Sequence, residues 1–133
     1  MTTSEDVSSG IITLTLPGDG EFVGVARMVV GGLASRLDLS YERLDDLQLA
    51  VETVAGGYAV GEDVTIEILV RPGAIEVLLA PLDVDRIAAE LEDTDGDMLL
   101  GVLLPRIVDA IGFEERDGLR WLRLTKQAPV KAT

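Results

Sequence analysis

The sequence predicts an α/β fold, a two-layer α+β sandwich in which helices cover one face of a mixed, mostly antiparallel sheet. Some segments alternate apolar and polar residues with the period of a strand, and others repeat apolar residues every three or four positions, as helices do. In chain order these segments read strand, helix, helix, strand, strand, helix, helix, strand, strand. Paired strands separated by paired helices favour this two-layer arrangement.

The composition and net charge of the chain exclude several classes of function. The chain has 133 residues, 47% of them hydrophobic, which suits one folded domain with one core. Its 24 acidic and 11 basic residues give a net charge of −13, so we expect no nucleic-acid binding, and a basic protein partner fits better. The chain contains no cysteine or histidine, which excludes thiol nucleophiles, histidine triads and the common zinc sites.

The domain organisation is expected to be simple. Residues 1–10 are polar and acidic, unlike a signal peptide, and are predicted to be a disordered N-terminus. Residues 11–126 form the single domain, and 127–133 form a frayed tail. No apolar run approaches the ~18 residues that a membrane span needs, so we expect a cytoplasmic protein without a membrane partner.

The first two predicted elements are a strand and a helix. The strand Ile11–Leu16 alternates apolar and polar residues and ends at Pro17-Gly18. The helix runs from about Gly20 to Leu37. Its core stripe consists of Phe22, Val25, Ala26, Val29 and Leu33.

Arg27 lies almost opposite this stripe, on a face that is otherwise small or apolar. The other members of that face are Val23, Gly24, Val30, Gly31 and Ala34. A lone arginine on a smooth face is unlike an ordinary solvated helix surface and is compatible with a binding surface for a partner. Alternatively, the face packs against a neighbouring helix, with the glycines permitting close approach. Both explanations remain open from the residues alone.

The second helix, Leu39–Tyr58, has the longest helical pattern in the chain. Ser40 is the expected N-cap, and Glu42 favours the positive end of the helix dipole. Gly56 and Gly57 each cost about 1 kcal/mol within a helix, so we expect the helix to end or to meet a close neighbour there.

The second half of the chain contains two predicted hairpins around two helices. Turn residues join the strands of each hairpin, and Trp121 and Arg123 are expected on the sheet face away from the core. The predicted ranges are strands Glu62–Val70 and Ala74–Ala80, helices Leu82–Glu92 and Met98–Ile111, and strands Phe113–Arg116 and Leu119–Thr125. The second of these helices is apolar nearly all round, which predicts a buried helix, with Pro105 kinking it or marking a later start.

One loop has the composition of a metal site. Asp93–Asp97 resembles part of a calcium-binding loop, but Leu104 occupies the position of the bidentate acid. A solvated acidic turn is therefore the better interpretation, and we expect no metal and no cofactor.

From end to end, the chain resembles the GHKL (Bergerat-fold, HATPase) superfamily, specifically the RsbW and SpoIIAB type of anti-sigma factor serine kinase. The resemblance covers about Ile11 to Lys126 and rests on the element order, the phrase SRLDLSYERLDDLQLAVETV and the closing hairpin ERDGLRWLRLTK. The phrase LQLAVETV is similar to the helix that presents the glutamate base of that family and, four residues later, its magnesium-binding asparagine.

The resemblance also implies that the reactive positions have degenerated. Without gaps, the base falls on Thr53, with Glu52 adjacent, and the magnesium ligand falls on Gly57. The adenine-reading aspartate falls at Pro81. The glycines that follow it fall at Asp83 and Asp85, and the later glycine box falls near Met98 and Leu100. The expected protein is a pseudo-kinase that keeps the fold without ATP binding or phosphoryl transfer.

One implied functional residue is retained. The family arginine that contacts the sigma factor and its antagonist falls on Arg27. The resemblance thus implies binding to a sigma factor or an anti-anti-sigma (STAS) protein, and a homodimer is compatible with it. Two alternatives stay open: a divergent serine kinase with Glu52 as base, and an assembly module in which the Arg27 face and Trp121 serve homo-oligomerisation.

Overall fold

Helices cover one face of a β-sheet in the computed structural model, which describes residues 2–6, 11–18, 21, 23–34, 39–93 and 99–127. The predicted fold class is therefore confirmed. The elements of the described residues are β1 (Thr2–Asp6), β2 (Ile11–Pro17), α1 (Val23–Ala34), α2 (Tyr41–Gly57), β3 (Asp63–Arg71), β4 (Ala74–Ala80), α3 (Val84–Glu92), α4 (Leu99–Ile107), β5 (Ala110–Arg116) and β6 (Leu119–Gln127). No helix in these ranges combines the length and apolar character needed to cross a bilayer.

The sheet has the strand order β1-β2-β3-β4-β6-β5. All pairings between its described strands are antiparallel, so this sheet is not mixed. The register aligns apolar residues across the strands, with Leu14 opposite Ile66 and Leu79 opposite both Ile66 and Leu122. These side chains are fully buried, which places the core between the sheet and the helices.

The N-terminal segment differs from the expectation of disorder. Thr2–Asp6 forms β1, which pairs with β2 so that Thr3 lies opposite Leu14. The edge of β2 offers backbone groups that a short polar segment can pair with, and no apolar pattern in that segment is needed. At the other end of the domain, Gln127 belongs to β6, and residues 128–133 of the predicted tail lie outside the described residues.

The turns of both predicted hairpins are confirmed. Gly73, with φ of 84°, occupies the left-handed position after Pro72, as a type II turn requires. Asp117 and Gly118 both have positive φ values, 54° and 77°, which match a type I′ hairpin turn. The β5–β6 hairpin is longer than predicted because Ala110–Gly112 pair with residues of β6 as well.

Helices α2 and α3 begin at side-chain caps. The Ser40 hydroxyl accepts a hydrogen bond from Arg43 N, as predicted, and the Asp83 carboxylate accepts one from Arg86 N. Helix α1 begins later than predicted, since Glu21 lies in a turn, and Phe22 and residues 35–38 lie outside the described residues.

Helix α4 corrects two expectations. It ends at Ile107, because Ile111 pairs with Leu124 in the sheet instead of continuing the helix. It is also buried on one side only: Leu100 and Leu104 are fully buried, whereas Val102 is 37% exposed. Pro105 lies within the helix, so it does not mark its start.

Candidate functional site

Arg27 joins α1 to α2 through two carboxylates. Its Nη2 lies 2.9 Å from Asp45 Oδ1, and its Nη1 lies 3.3 and 3.4 Å from the two carboxylate oxygens of Glu52. The hydrogen bond to Asp45 and, to a smaller extent, those to Glu52 raise the pKa of Arg27 above its ordinary value. The Arg27 side chain remains 42% exposed, so the guanidinium is paired within the chain and still reaches the surface.

The Arg27 face of α1 also packs against α2. Gln48 Nε2 donates a hydrogen bond to the backbone O of Arg27 over 2.9 Å, and a Cβ at Gly31 would lie 3.0 Å from that same nitrogen. Val30 is fully buried and Val23 is half-buried, whereas Gly24 is exposed. Ala34 is the last residue of α1. Val30 and Gly31 therefore pack against the neighbouring helix, as one of the two explanations expected, whereas Arg27 and Gly24 face outward.

Large apolar side chains are exposed on the same pair of helices. Met28 on α1 is 76% exposed, and Tyr41 and Leu49 on α2 are 91% and 37% exposed. A cleft of about 290 Å³ opens next to Tyr41; it is lined by Arg27, Tyr41, Glu42, Leu44, Asp45 and Gln48. We call the surface formed by Met28, Tyr41, Leu49 and the lining of this cleft the α1–α2 surface.

The resemblance puts the base and the metal ligand at Thr53 and Gly57, on a different side of α2 from the carboxylates that bind Arg27. The Thr53 hydroxyl donates to the backbone O of Leu49 over 2.7 Å, within its own helix. Gly57 presents only a backbone carbonyl, which accepts a hydrogen bond from Arg86 Nη1 over 3.2 Å. The adjacent Glu52 lies on the side facing α1, bound to Arg27.

Arg86 belongs to a three-residue cluster between α2 and α3. Its guanidinium carbon lies 4.4 Å from the centre of the Tyr58 ring, and its Nε lies 3.0 Å from Glu90 Oε2. The Tyr58 hydroxyl donates to Glu90 Oε1 over 2.8 Å, and both residues are buried. Burial, and next the hydrogen bond to Glu90, raise the pKa of Tyr58 to about 12. We call Tyr58, Arg86 and Glu90 the Arg86 cluster.

Helices α3 and α4 are in direct backbone contact at Gly101. A Cβ on this residue would overlap the backbone O of Glu90 and lie 2.9 Å from that of Asp93. The neighbouring Leu100, one of the implied pocket positions, is fully buried in the core. There is consequently no room for a ligand between the two helices at this point.

Three implied pocket positions line a separate, shallow cleft. Pro81, Asp83 and Asp85 lie along a cleft of about 400 Å³ together with Val60, Leu119 and Arg120. Asp83 caps α3, and the carboxylate of Asp85, which is 96% exposed, lies 3.2 Å from the guanidinium of Arg120. Gly57 and Leu100 do not line this cleft, so the structure does not bring all the implied positions into one pocket.

The described residues contain no group of three or more acidic side chains arranged to bind a metal ion. Most of the acidic loop, Thr94–Asp97, lies outside the described residues, as does Met98. Trp121 lies on the outer sheet face, as predicted, but is only 8% exposed, because Arg116 stacks over it at 4.4 Å and pairs with Glu67. This buried position does not suit the oligomerisation role considered for Trp121.

Sequence reasoning missed most partners in these sites. Asp45, Gln48 and Glu52 are spaced by three and four residues, which indicates one polar side of α2, and this spacing could have suggested a partner for Arg27. Arg86 and Glu90 have the i, i+4 spacing of a helical ion pair. The position of Tyr58 against them has no comparable local signal, because it depends on how α2 and α3 pack.

Comparison with known proteins finds similarity to RsbW proteins of several bacteria. The chain is 35% identical over 68 residues to serine-protein kinase RsbW of Bacillus subtilis (49% of this chain, 42% of the relative). It is 38% identical over 73 residues to RsbW of Listeria monocytogenes serotype 4a (50% and 46%) and 33% identical over 89 residues to that of Bacillus velezensis (65% and 53%). No family model matches the chain. The chain spans about half the length of the curated relatives it matches, and over that part it is homologous to them.

Proposed function

We propose that this protein is a catalytically inactive, anti-sigma-factor-like regulator that binds a sigma factor, an anti-anti-sigma (STAS) protein, or both. The matched relatives are named serine-protein kinase RsbW, and the family resemblance puts the partner-contacting arginine at Arg27. The observation that carries the proposal is the contrast between the two sides of α2. Next to α1, Arg27 is 42% exposed and borders an open cleft. At the end of α2 next to α3, Arg86 is 54% exposed, but it lies on the buried Tyr58–Glu90 pair and donates to the Gly57 carbonyl.

Three features of the positions where the resemblance puts the reactive residues argue against ATP chemistry. Thr53 cannot serve as a general base, and its hydroxyl is bound to Leu49 O. Gly57 offers no side-chain oxygen, and its carbonyl accepts from Arg86, whose positive charge would repel a magnesium ion beside it. Asp83 and Asp85 would in turn repel phosphate groups near the cleft that they line.

The alternative of a divergent serine kinase is favoured by the matched relatives, which are named serine-protein kinases, and this kinase would use Glu52 as base. Glu52 is one residue from Thr53, so its side chain leaves the helix about 100° away. Its carboxylate is bound to Arg27, whereas the Arg86 cluster lies against the α3-facing side of α2. This geometry favours the regulatory role over the catalytic one.

The binding proposal is tested by calorimetry with purified sigma factors and STAS proteins from the source cell. We expect one of them to bind the wild type and Arg27→Ala to weaken that binding at least about tenfold, as for a central arginine in an interface. Arg71→Ala is the matched control, because Arg71 is also an exposed arginine paired with a carboxylate, Glu76, but lies at the end of β3.

Two results would contradict the proposal. If Arg27→Ala bound the partner as tightly as the wild type, the α1–α2 surface would not be the interface. If the wild type bound none of these proteins, the proposed regulatory function would be wrong. Light scattering on the wild type and Arg27→Ala separates a pure assembly role, in which the substitution changes the oligomeric state instead.

A further inference from the structure

The cleft beside Tyr41 has more negative than positive charge. Of the described residues that line it, Glu42 and Asp45 are acidic and Arg27 is basic. Arg27 is already paired with Asp45 and with Glu52, which lies just outside the cleft. The positive end of the α2 dipole, equivalent to about half a charge, offsets only part of this excess.

This balance changes the partner chemistry that Arg27 alone would suggest. A free guanidinium on a surface attracts a carboxylate. Here an incoming carboxylate would have to displace Asp45 from a 2.9 Å contact and would then face Glu42 and Asp45 at close range. An incoming ammonium or guanidinium group would instead be attracted to both of these carboxylates, and the repulsion from Arg27, which is paired with Asp45 and Glu52, would offset only part of that attraction.

The remaining lining of the cleft suits an apolar side chain next to that cation. Leu44 and the ring of Tyr41 contribute apolar surface, and Tyr41 is 91% exposed. An aromatic ring in this position can cover an aliphatic side chain and can also stack on a lysine or arginine head group. Exposed tyrosine and methionine are both enriched in protein interfaces, and Met28 lies on the adjacent helix.

We propose that the cleft lined by Tyr41, Glu42 and Asp45 binds a basic segment of a protein partner, with one lysine or arginine on the carboxylates and an apolar neighbour against Tyr41. The inference rests on the proposed function, since it assigns partner chemistry to the same α1–α2 surface. The occupant is a basic protein segment, in agreement with the net charge of −13 for the whole chain.

Selection from a displayed random-peptide library tests this directly. The wild type is the target, and peptides that still bind Glu42→Gln/Asp45→Asn are removed. The control protein is Glu62→Gln/Asp63→Asn, which neutralises two exposed acidic residues before and at the start of β3, away from the cleft lining. Circular dichroism confirms that each variant is folded.

We expect the retained peptides to carry lysine or arginine next to an apolar residue. Synthesised copies should bind the cleft variant at least about tenfold more weakly than the wild type, and the control variant within about twofold. Tyr41→Ser, which changes no charge, should also weaken binding, and added salt should reduce the affinity of the wild type.

Several outcomes would overturn the proposal. These are retained peptides that are acidic or neutral, equal weakening by the control variant, or no peptide that depends on the cleft. Sedimentation velocity gives a further such outcome. If the wild type were a dimer and Glu42→Gln/Asp45→Asn a monomer, the occupant of the cleft would be a second copy of this chain and not a partner's basic segment. The titrations with sigma factors and STAS proteins are read separately, so a failed partner assignment is distinguishable from a failed cleft.

Discussion

Two sides of one helix, α2, differ in what lies beside the arginine that each of them contacts. On the side facing α1, Arg27 is held by Asp45 and Glu52 but remains partly exposed, next to an open cleft. On the side facing α3, Arg86 is held by Glu90 and stacks on Tyr58. Both arginines are paired and about half exposed, 42% for Arg27 and 54% for Arg86, but an open cleft lies beside Arg27, whereas Arg86 lies on the buried Tyr58–Glu90 pair. This difference agrees with the proposal that a partner binds on the α1 side and that no nucleotide binds on the other.

The largest expected effect tests the close backbone contact between α3 and α4 at Gly101. Gly101→Ala should lower the free energy of unfolding by about 3 kcal/mol, because the added Cβ overlaps the backbone of Glu90. Urea unfolding measures this loss. Gly57→Ala is the control: its Cβ meets no atom within 4 Å, so its effect should stay within about 1 kcal/mol. Similar small effects for both would mean that α3 and α4 separate easily.

The next effect concerns the buried hydroxyl of Tyr58. Tyr58→Phe should cost about 1–2 kcal/mol at neutral pH, because Glu90 Oε1 loses a buried donor 2.8 Å away. Tyr41→Phe, at a 91% exposed ring, should cost almost nothing in the same urea titration. Equal stability of the two variants would contradict a structural role for the Tyr58–Glu90 hydrogen bond.

Tyr58 also predicts a pH dependence of stability. Its pKa is about 12 in the folded chain and about 10 in the unfolded chain, so the unfolded state loses the proton first as pH rises. Stability from this group is therefore present below pH 10 and is lost between about pH 10 and 12, by at most about 3 kcal/mol. In the Tyr41→Phe background, tyrosinate absorbance reports Tyr58 alone, since the chain has two tyrosines. A tyrosinate absorbance of Tyr58 that rises with a midpoint near pH 10 would contradict this prediction.

A smaller effect tests the α1–α2 side. Gln48→Ala removes the hydrogen bond to the backbone O of Arg27 and should cost about 1 kcal/mol. Hydrogen exchange should become faster in α1 and remain unchanged in α3 and α4, if the two sides are independent. Faster exchange in all of these helices would show that the sides are coupled.

The smallest expected effect is none. Thr53→Glu/Gly57→Asn restores the side chains that the family resemblance puts at these positions, yet we expect no Mg-ATP binding by calorimetry. In this variant Arg86 would still donate to the backbone carbonyl of residue 57, and α3 would still contact α4 at Gly101, although the space around the Cβ of residue 57 is open. ATP binding by this variant would mean that the side-chain changes alone, and not the packing of α3, prevent nucleotide binding.

The local pattern of the chain was sufficient to predict most of the fold. Alternation in β2 and the positive-φ pair at Asp117-Gly118 depend on neighbouring residues, which a sequence displays directly. Strand β1 has no strand pattern of its own because β2 provides its pairing, and α4 is shorter than its apolar pattern predicts because Ile111 pairs with Leu124. In both cases a tertiary pairing determined the outcome.

The candidate site was less predictable because its contacts are distant in sequence. Arg27 seemed isolated, but its carboxylate partners lie 18 and 25 residues further along the chain. Tyr58 and Glu90 are 32 residues apart and meet only when α3 packs on α2. A helical projection identifies which side of a helix a residue occupies, and it cannot identify the side chain that comes to meet it.

Calorimetric titration of the wild-type protein with Mg-ATP tests the central claim most directly. We predict no binding heat up to millimolar nucleotide, because Thr53 and Gly57 supply neither a base nor a metal ligand, Arg86 already donates to the Gly57 carbonyl, and the backbones of α3 and α4 are in contact at Gly101. The same protein batch should bind its sigma factor or STAS partner, which shows that it is folded and active in binding. A micromolar dissociation constant for Mg-ATP would contradict the pseudo-kinase assignment.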